Sequence, residues 1–126
     1  MKRAAFVFGL VFVLAGLAGF VPALCPGGRL FGLFATNEPH DLFYIGTGVL
    51  GLVMSLGTQG FARKYFRIVA IAYGLLGLMG FLEGGRQLLL GMAINKADNV
   101  LDLFIALVAF LLGVLWPSGD EGHALA

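Results

Sequence analysis

The sequence is poor in charge, cysteine and histidine. Only 12% of the 126 residues are charged and the net charge is +1, so no basic surface for a nucleic acid is expected. The single cysteine, Cys25, has no second thiol for an internal disulfide or a paired metal site. Of the two histidines, only His40 lies near an apolar segment. A haem held by two histidines of one chain is therefore not expected.

Catalytic motifs are also missing from the sequence. It has no glycine-rich phosphate loop and no Ser/His/Asp grouping, and Cys25 has no histidine close to it along the chain. We therefore expect a protein that is not an enzyme and that holds no cofactor.

Apolar residues are abundant instead. They make up 60% of the chain, against roughly 45–50% in ordinary soluble domains. Two charge-free runs, at 4–28 and 42–62, reach the roughly 20 residues that cross a bilayer. The later runs, 68–82 and 103–116, are shorter and need flanking residues to do so. The composition predicts an integral membrane protein.

The expected fold is all-α, an integral membrane four-helix bundle in a single domain over residues 1–117. A short polar tail, 118–126, follows it. Lys2 and Arg3 before the first apolar run resemble the start of a signal peptide, but no small-x-small cleavage site follows, so a retained helix is expected. The predicted spans are Ala4–Val21, Leu42–Gly60, Tyr65–Leu82 and Val100–Trp116.

The second half of the sequence echoes the first. Gly16-Leu17-Ala18-Gly19 returns 61 positions later as Gly77-Leu78-Met79-Gly80, and Asn37 returns 58 positions later as Asn95. The pattern predicts two tandem two-helix repeats, 1–60 and 61–117. Because each unit crosses twice, the copies would be parallel, related by an axis along the membrane normal.

The distribution of basic residues predicts the orientation. Five cations flank one side of the predicted bundle and three flank the other, which favours cytoplasmic termini in the cell inner membrane. The first group is Lys2, Arg3, Arg63, Lys64 and Arg67, and the second is Arg29, Arg86 and Lys96.

Small residues recur at helix-contact spacing within the predicted spans. Membrane helices associate where such residues let backbones approach, so these positions predict helix packing. Their role is either to pack one chain or to offer a face to another membrane protein. The positions are Thr47, Gly51, Ser55, Gly80, Gly84, Ala109 and Gly113. The apolar outer loops, Pro22–Thr36 and Glu83–Ile94, are expected at the interface or folded onto the bundle.

The polar residues gather at one end of the predicted bundle, on its outer face. They are Asn37, His40, Asp41, Glu83, Arg86, Asp98, Asn99 and Asp102. Asn37 and Asp98 fit helix caps, which would satisfy free backbone amides. Asp102 lies inside an apolar stretch and needs a partner, for which Arg86 or His40 is the natural candidate. Binding of a cation or proton relay is the alternative; one histidine with scattered carboxylates does not predict a metal site.

Several segments resemble one family of bacterial membrane proteins. The run from Gly9 to Pro22, the outer-loop segment Leu30–Phe34 with His40-Asp41-Leu42, and Asn95–Leu101 are similar to the family known as domain of unknown function 4383. Members often carry histidines where this chain has Tyr44 and Asp102. The resemblance implies a small four-helix inner-membrane protein, and the family brings no established activity.

The features together favour a scaffold or accessory subunit of a larger membrane assembly. Its partners would be the lipid bilayer and another membrane protein or a second copy of the chain. The alternative is a small oligomeric carrier that handles ions or protons through the outer-face His/Asp cluster. An enzyme in or on the membrane is the third class considered. The sequence does not support it, because it shows no nucleophile paired with a base.

Overall fold

Four α-helices and two short β-hairpins make up most of the chain in the computed structural model, which describes residues 1–83, 88–89 and 92–116. Helix α1 is Lys2–Ala18, α2 is Glu38–Ser55, α3 is Gln59–Glu83 and α4 is Lys96–Phe110, continued by a π-helical turn at Leu111–Leu115. Strand β1, Arg29–Leu30, pairs with β2, Phe34–Ala35, and strand β3, Leu88–Leu89, pairs with β4, Met92–Ala93.

The predicted set of four helices agrees with the structure, and the all-helical prediction needs a correction for the hairpins. Each hairpin lies in an outer loop that was expected to fold onto the bundle or lie at the interface. In the first loop Leu30 is buried, and Gly32 has a positive φ of 73°, which lets the chain reverse between the strands. A loop that buries apolar residues has to pair its backbone groups, and a short antiparallel ladder does so.

The helix boundaries differ from the predicted spans. Two stretches, Gln59–Leu82 and Lys96–Leu115, are long and apolar enough to cross a membrane. These stretches belong to α3 and α4. In the sequence, by contrast, the two longest charge-free runs are those of α1 and α2. Helix α1 ends at Ala18 because the following residues form turns that include Pro22. The charge-free run 4–28 includes these turn residues, so it is longer than the helix that it contains.

Aromatic side chains fill the interior between the helices. Phe12 of α1 packs edge-on against Tyr44 of α2 with ring centroids 5.5 Å apart, and it lies 5.3 Å from the Tyr73 ring of α3. The Thr47 and Tyr73 hydroxyls are 2.9 Å apart, and Tyr65 donates to the Thr47 carbonyl at 3.0 Å. The tyrosine hydroxyls therefore link α3 to α2 inside an apolar core.

Helices α1 and α2 approach each other at two glycines. A Cβ atom on Gly9 would lie 2.6 Å from the Gly48 carbonyl oxygen, and one on Gly48 would lie 2.5 Å from the Gly9 carbonyl oxygen. Any side chain at either position would meet backbone, so this contact requires glycine.

Arginines of α3 bind the carboxyl end of the last helix. Arg63 donates to the carbonyls of Gly113 at 3.1 Å and Trp116 at 2.9 Å, and Arg67 donates to Gly113 at 2.8 Å. Helix carboxyl ends carry unsatisfied carbonyls and partial negative charge, which suit guanidinium groups. Gly113 also lets the backbone of Arg67 approach, since a Cβ there would lie 2.9 Å from the Arg67 nitrogen.

The other predicted packing residues lie mostly inside the bundle. Gly51 faces Tyr65, whose hydroxyl would be 2.8 Å from a Cβ at this position. Ser55 is buried and donates to the Leu52 carbonyl at 2.6 Å, and Ala109 is fully buried. Gly84 lies outside the described residues.

Replacement of Gly9 by alanine tests the close approach of α1 and α2. The new methyl group would overlap the α2 backbone, so Gly9→Ala should lower the free energy of unfolding by about 1–3 kcal/mol. Gly46→Ala is the matched control, because a Cβ there meets nothing within 4 Å. Thermal unfolding in mild detergent measures both, and equal melting temperatures for the two variants would contradict the contact.

Candidate functional site

The amino ends of α2 and α4 form the polar end of the structure. Asn37 caps α2, since its side-chain oxygen accepts a hydrogen bond from the His40 backbone at 3.1 Å. Asn95 caps α4 and accepts from the Asp98 backbone at 3.0 Å, while Asp98 Oδ2 accepts from the Asn95 backbone at 2.9 Å. The predicted Asn37 cap is confirmed. The cap of α4 is Asn95, and Asp98 completes the capping box, because it stands three residues inside the helix.

Each hairpin contacts the first turn of the helix in the other half of the chain. His40 Nδ1 lies 2.8 Å from the carbonyl oxygen of Ala93 in β4. Asn37 also accepts from the Ala93 nitrogen at 3.1 Å. In the opposite direction, the side-chain amide of Asn95 donates to the carbonyl of Leu33, between β1 and β2, at 2.9 Å. Each hairpin is therefore hydrogen-bonded to residues at the amino end of the helix in the other half.

Two further polar side chains lie against glycines of the neighbouring helix. Asp41 contacts Gly19 just beyond α1, and Asn99 contacts Gly80 of α3, so closely that a Cβ on either glycine would overlap the side chain. Gly80 is 61 positions after Gly19. Asp41 also accepts a hydrogen bond from the Thr36 hydroxyl. Both side chains are buried, and each needs the space that a missing Cβ leaves.

Tyr44 and Asp102 lie one turn deeper than His40 and Asp98. Tyr44 is 8% exposed and Asp102 is 5% exposed. Neither the Tyr44 hydroxyl nor Asp102 Oδ1 has a hydrogen-bond partner among the described residues. The interior of this end therefore holds polar atoms from both halves that are available to a small polar ligand.

The protonation state of His40 follows from its surroundings. The residue lies before Leu42, where the predicted span begins. Burial lowers the pKa of the imidazole, while the hydrogen bond to Ala93 and the nearby Asp41 carboxylate act in the opposite direction. The Ala93 carbonyl can only accept, so Nδ1 carries the proton in the neutral ring. His40 thus works as a hydrogen-bond donor to the second hairpin.

The structure brings six of the eight predicted polar residues to one end. They are Asn37, His40, Asp41, Asp98, Asn99 and Asp102. Arg86 and the side chain of Glu83 lie outside the described residues, and so does the predicted Arg86–Asp102 ion pair. The other candidate partner of Asp102, His40, uses Nδ1 for Ala93. Within the described ranges, no three His, Cys, Asp or Glu side chains are grouped so that they could hold a metal ion.

Three residues of this end, Tyr44, Thr36 and Ala93, were not among those predicted for the site. Tyr44 follows His40 by four residues and stands 58 positions before Asp102, so the repeat spacing together with the helical period could have identified it. Ala93 contributes only backbone atoms to the site. Every residue has a backbone carbonyl, so the sequence could not identify Ala93.

These features define a mostly helical protein, with four α-helices among the described residues and a polar end formed by the amino ends of α2 and α4. The family described as Domain of unknown function (DUF4383) matches residues 2–115, nearly the whole chain. The chain belongs to this family, as its sequence motifs predict. No curated protein and no solved structure matches it.

Proposed function

We propose that the chain is a multi-pass protein of the inner membrane and acts without catalysis, as a scaffold or accessory subunit of a larger membrane assembly. The observation that carries this proposal is the apolar outer surface. Every helix exposes large apolar side chains, among them Val11 at 58%, Val53 at 58%, Ile71 at 66% and Phe104 at 61%. Such a surface would be costly in water, and it suits lipid or another membrane helix.

Two tandem units in parallel orientation are part of the proposal. The matched contacts support it: Gly16 lies against Asp41 and Ile45, and Gly77 lies against Asn99 and Leu103. The two glycines are 61 positions apart, and each partner pair is 58 positions apart. A duplicated hairpin of helices accounts for repeated contacts at the same offsets as the repeated sequence.

The distribution of charge supports cytoplasmic termini. Arg63, Lys64 and Arg67 lie in the first turns of α3, at the end of the bundle opposite the capping residues Asn37 and Asn95. Lys2 and Arg3 lie at the same end as these cations, since the Lys2 backbone donates to Gln59 at 3.0 Å. The positive-inside rule favours the cytoplasm for this end.

The scaffold proposal predicts a stable assembly in native membranes. Because the outer surface of all four helices is apolar, purification in mild detergent should yield a complex larger than one chain. Size-exclusion chromatography with light scattering measures the protein mass without the detergent. A particle that contains a single chain and no partner, at several detergent concentrations, would contradict the proposal.

A second function has a specific observation in its favour. Tyr44 and Asp102 are buried near the middle of the polar end and carry polar atoms without partners among the described residues. They come from equivalent positions of the two proposed units. A small oligomeric carrier that passes ions or protons would use such groups, since buried polar residues in a membrane mark ion pathways.

The carrier proposal predicts flux that depends on this cluster. Proteoliposomes containing the parent chain should pass protons or cations, and Asp102→Asn and His40→Ala should reduce that flux by at least about tenfold, because polar and ionisable groups in membranes mark such pathways. Glu38→Gln is the matched control, as Glu38 is an exposed acid at the same end. No flux in the parent, or unchanged flux in both cluster variants, removes this function.

A further inference from the structure

An apolar groove runs along the outer side of α4, next to the first hairpin. Leu33 and Phe34 of the hairpin form one wall, and Val100, Leu101 and Phe104 of α4 form the other. Lys96 lies at one end, eight residues before Phe104, which is about 12 Å along a helix. The groove has a volume of about 620 Å³, within the range of about 300–1,000 Å³ that is typical of sites for small molecules.

The charge at one end of the groove specifies what fits it. Lys96 is exposed in the first turn of α4, where the helix dipole is already positive. A cation at this end of a helix is unfavourable by itself and becomes favourable when an anion lies beside it. The other lining residues are apolar, so they offer contacts to a hydrocarbon chain and none to free phosphate.

The equivalent position in the first half carries the opposite charge. Glu38 stands 58 positions before Lys96 and begins α2 as Lys96 begins α4. At these two positions an anion would therefore be attracted by Lys96 and repelled by Glu38. The two similar halves differ in charge at the point where each helix reaches the proposed membrane surface.

We propose that this groove binds one anionic phospholipid, with an acyl chain along Val100, Leu101 and Phe104 and the phosphate group beside Lys96. The inference rests on the proposed membrane insertion and adds a preferred lipid to it. Juxtamembrane lysines attract anionic lipids by about 1 kcal/mol each. The groove adds apolar contacts along the acyl chain, so that one lipid is held in a defined position.

A tryptophan placed in the groove reports the lipid beside it. The parent for this test is the full chain with Trp116→Phe, which removes the native tryptophan, and Phe104→Trp, which puts the reporter on the groove wall. It is reconstituted in phosphatidylcholine vesicles that contain equal fractions of either brominated phosphatidylglycerol or brominated phosphatidylcholine, and quenching of tryptophan fluorescence is measured.

The expected result is a preference of about fivefold for the brominated phosphatidylglycerol, as one lysine contact would give. Lys96→Gln should reduce this preference to near one, and Lys96→Glu should reverse it. Lys64→Glu is the matched control, because it makes the same charge change at the opposite end of the bundle and should leave the preference as in the parent. Equal quenching by the two lipids in the parent, or a preference that survives Lys96→Glu, would overturn the lipid site.

Resistance to alkaline extraction of the same vesicles separates this inference from the proposed function. An extraction-resistant chain with no lipid preference overturns the lipid site and leaves membrane insertion standing. A chain that is released by alkaline extraction overturns both.

Discussion

Polar groups buried at the amino ends of α2 and α4 have to find hydrogen-bond partners within a largely apolar structure, and the rest of the fold is arranged around that requirement. Asn37 and Asn95 satisfy the first amides of their own helices. Further partners come from the opposite half of the chain, through the hydrogen bonds of His40 with Ala93 and of Asn95 with Leu33. The loops that join the helices thus also hold the two halves together at this end.

The glycines serve the same requirement by making room. Gly19 and Gly80 let Asp41 and Asn99 lie between helices, and Gly9 and Gly48 bring α1 and α2 into backbone contact. At the other end, arginines of α3 satisfy the last carbonyls of α4. Many polar groups are therefore paired at both ends, while the middle is filled by aromatic rings. Within the described part of the chain, buried polar atoms without a partner remain on Tyr44, Asp98, Asn99, Asp102 and Trp116, and the carrier alternative depends on those of Tyr44 and Asp102.

The sequence was informative about helices and caps and much less so about loops. The number of helices and the Asn37 cap could be predicted, because apolar periods and Asn before Pro39 have local causes. The hairpins could not, since strands of two residues leave no periodic signal. The hydrogen-bond partner of His40 could not be predicted either, because it is a backbone carbonyl, which every residue has. Helix α1 is shorter than the first charge-free run, because the turn residues after Ala18 are as apolar as the helix before them.

The proposed doubled helical hairpin would cross the membrane four times and place the first turns of α2 and α4 at the same surface. Cysteine labelling of intact cells with a membrane-impermeant maleimide tests it most directly, in a Cys25→Ser background. Glu38→Cys and Lys96→Cys should both react from the same side of the membrane, and Gly60→Cys, in the first turn of α3, only from the other. Labelling of Glu38→Cys and Lys96→Cys from opposite sides would contradict the claim.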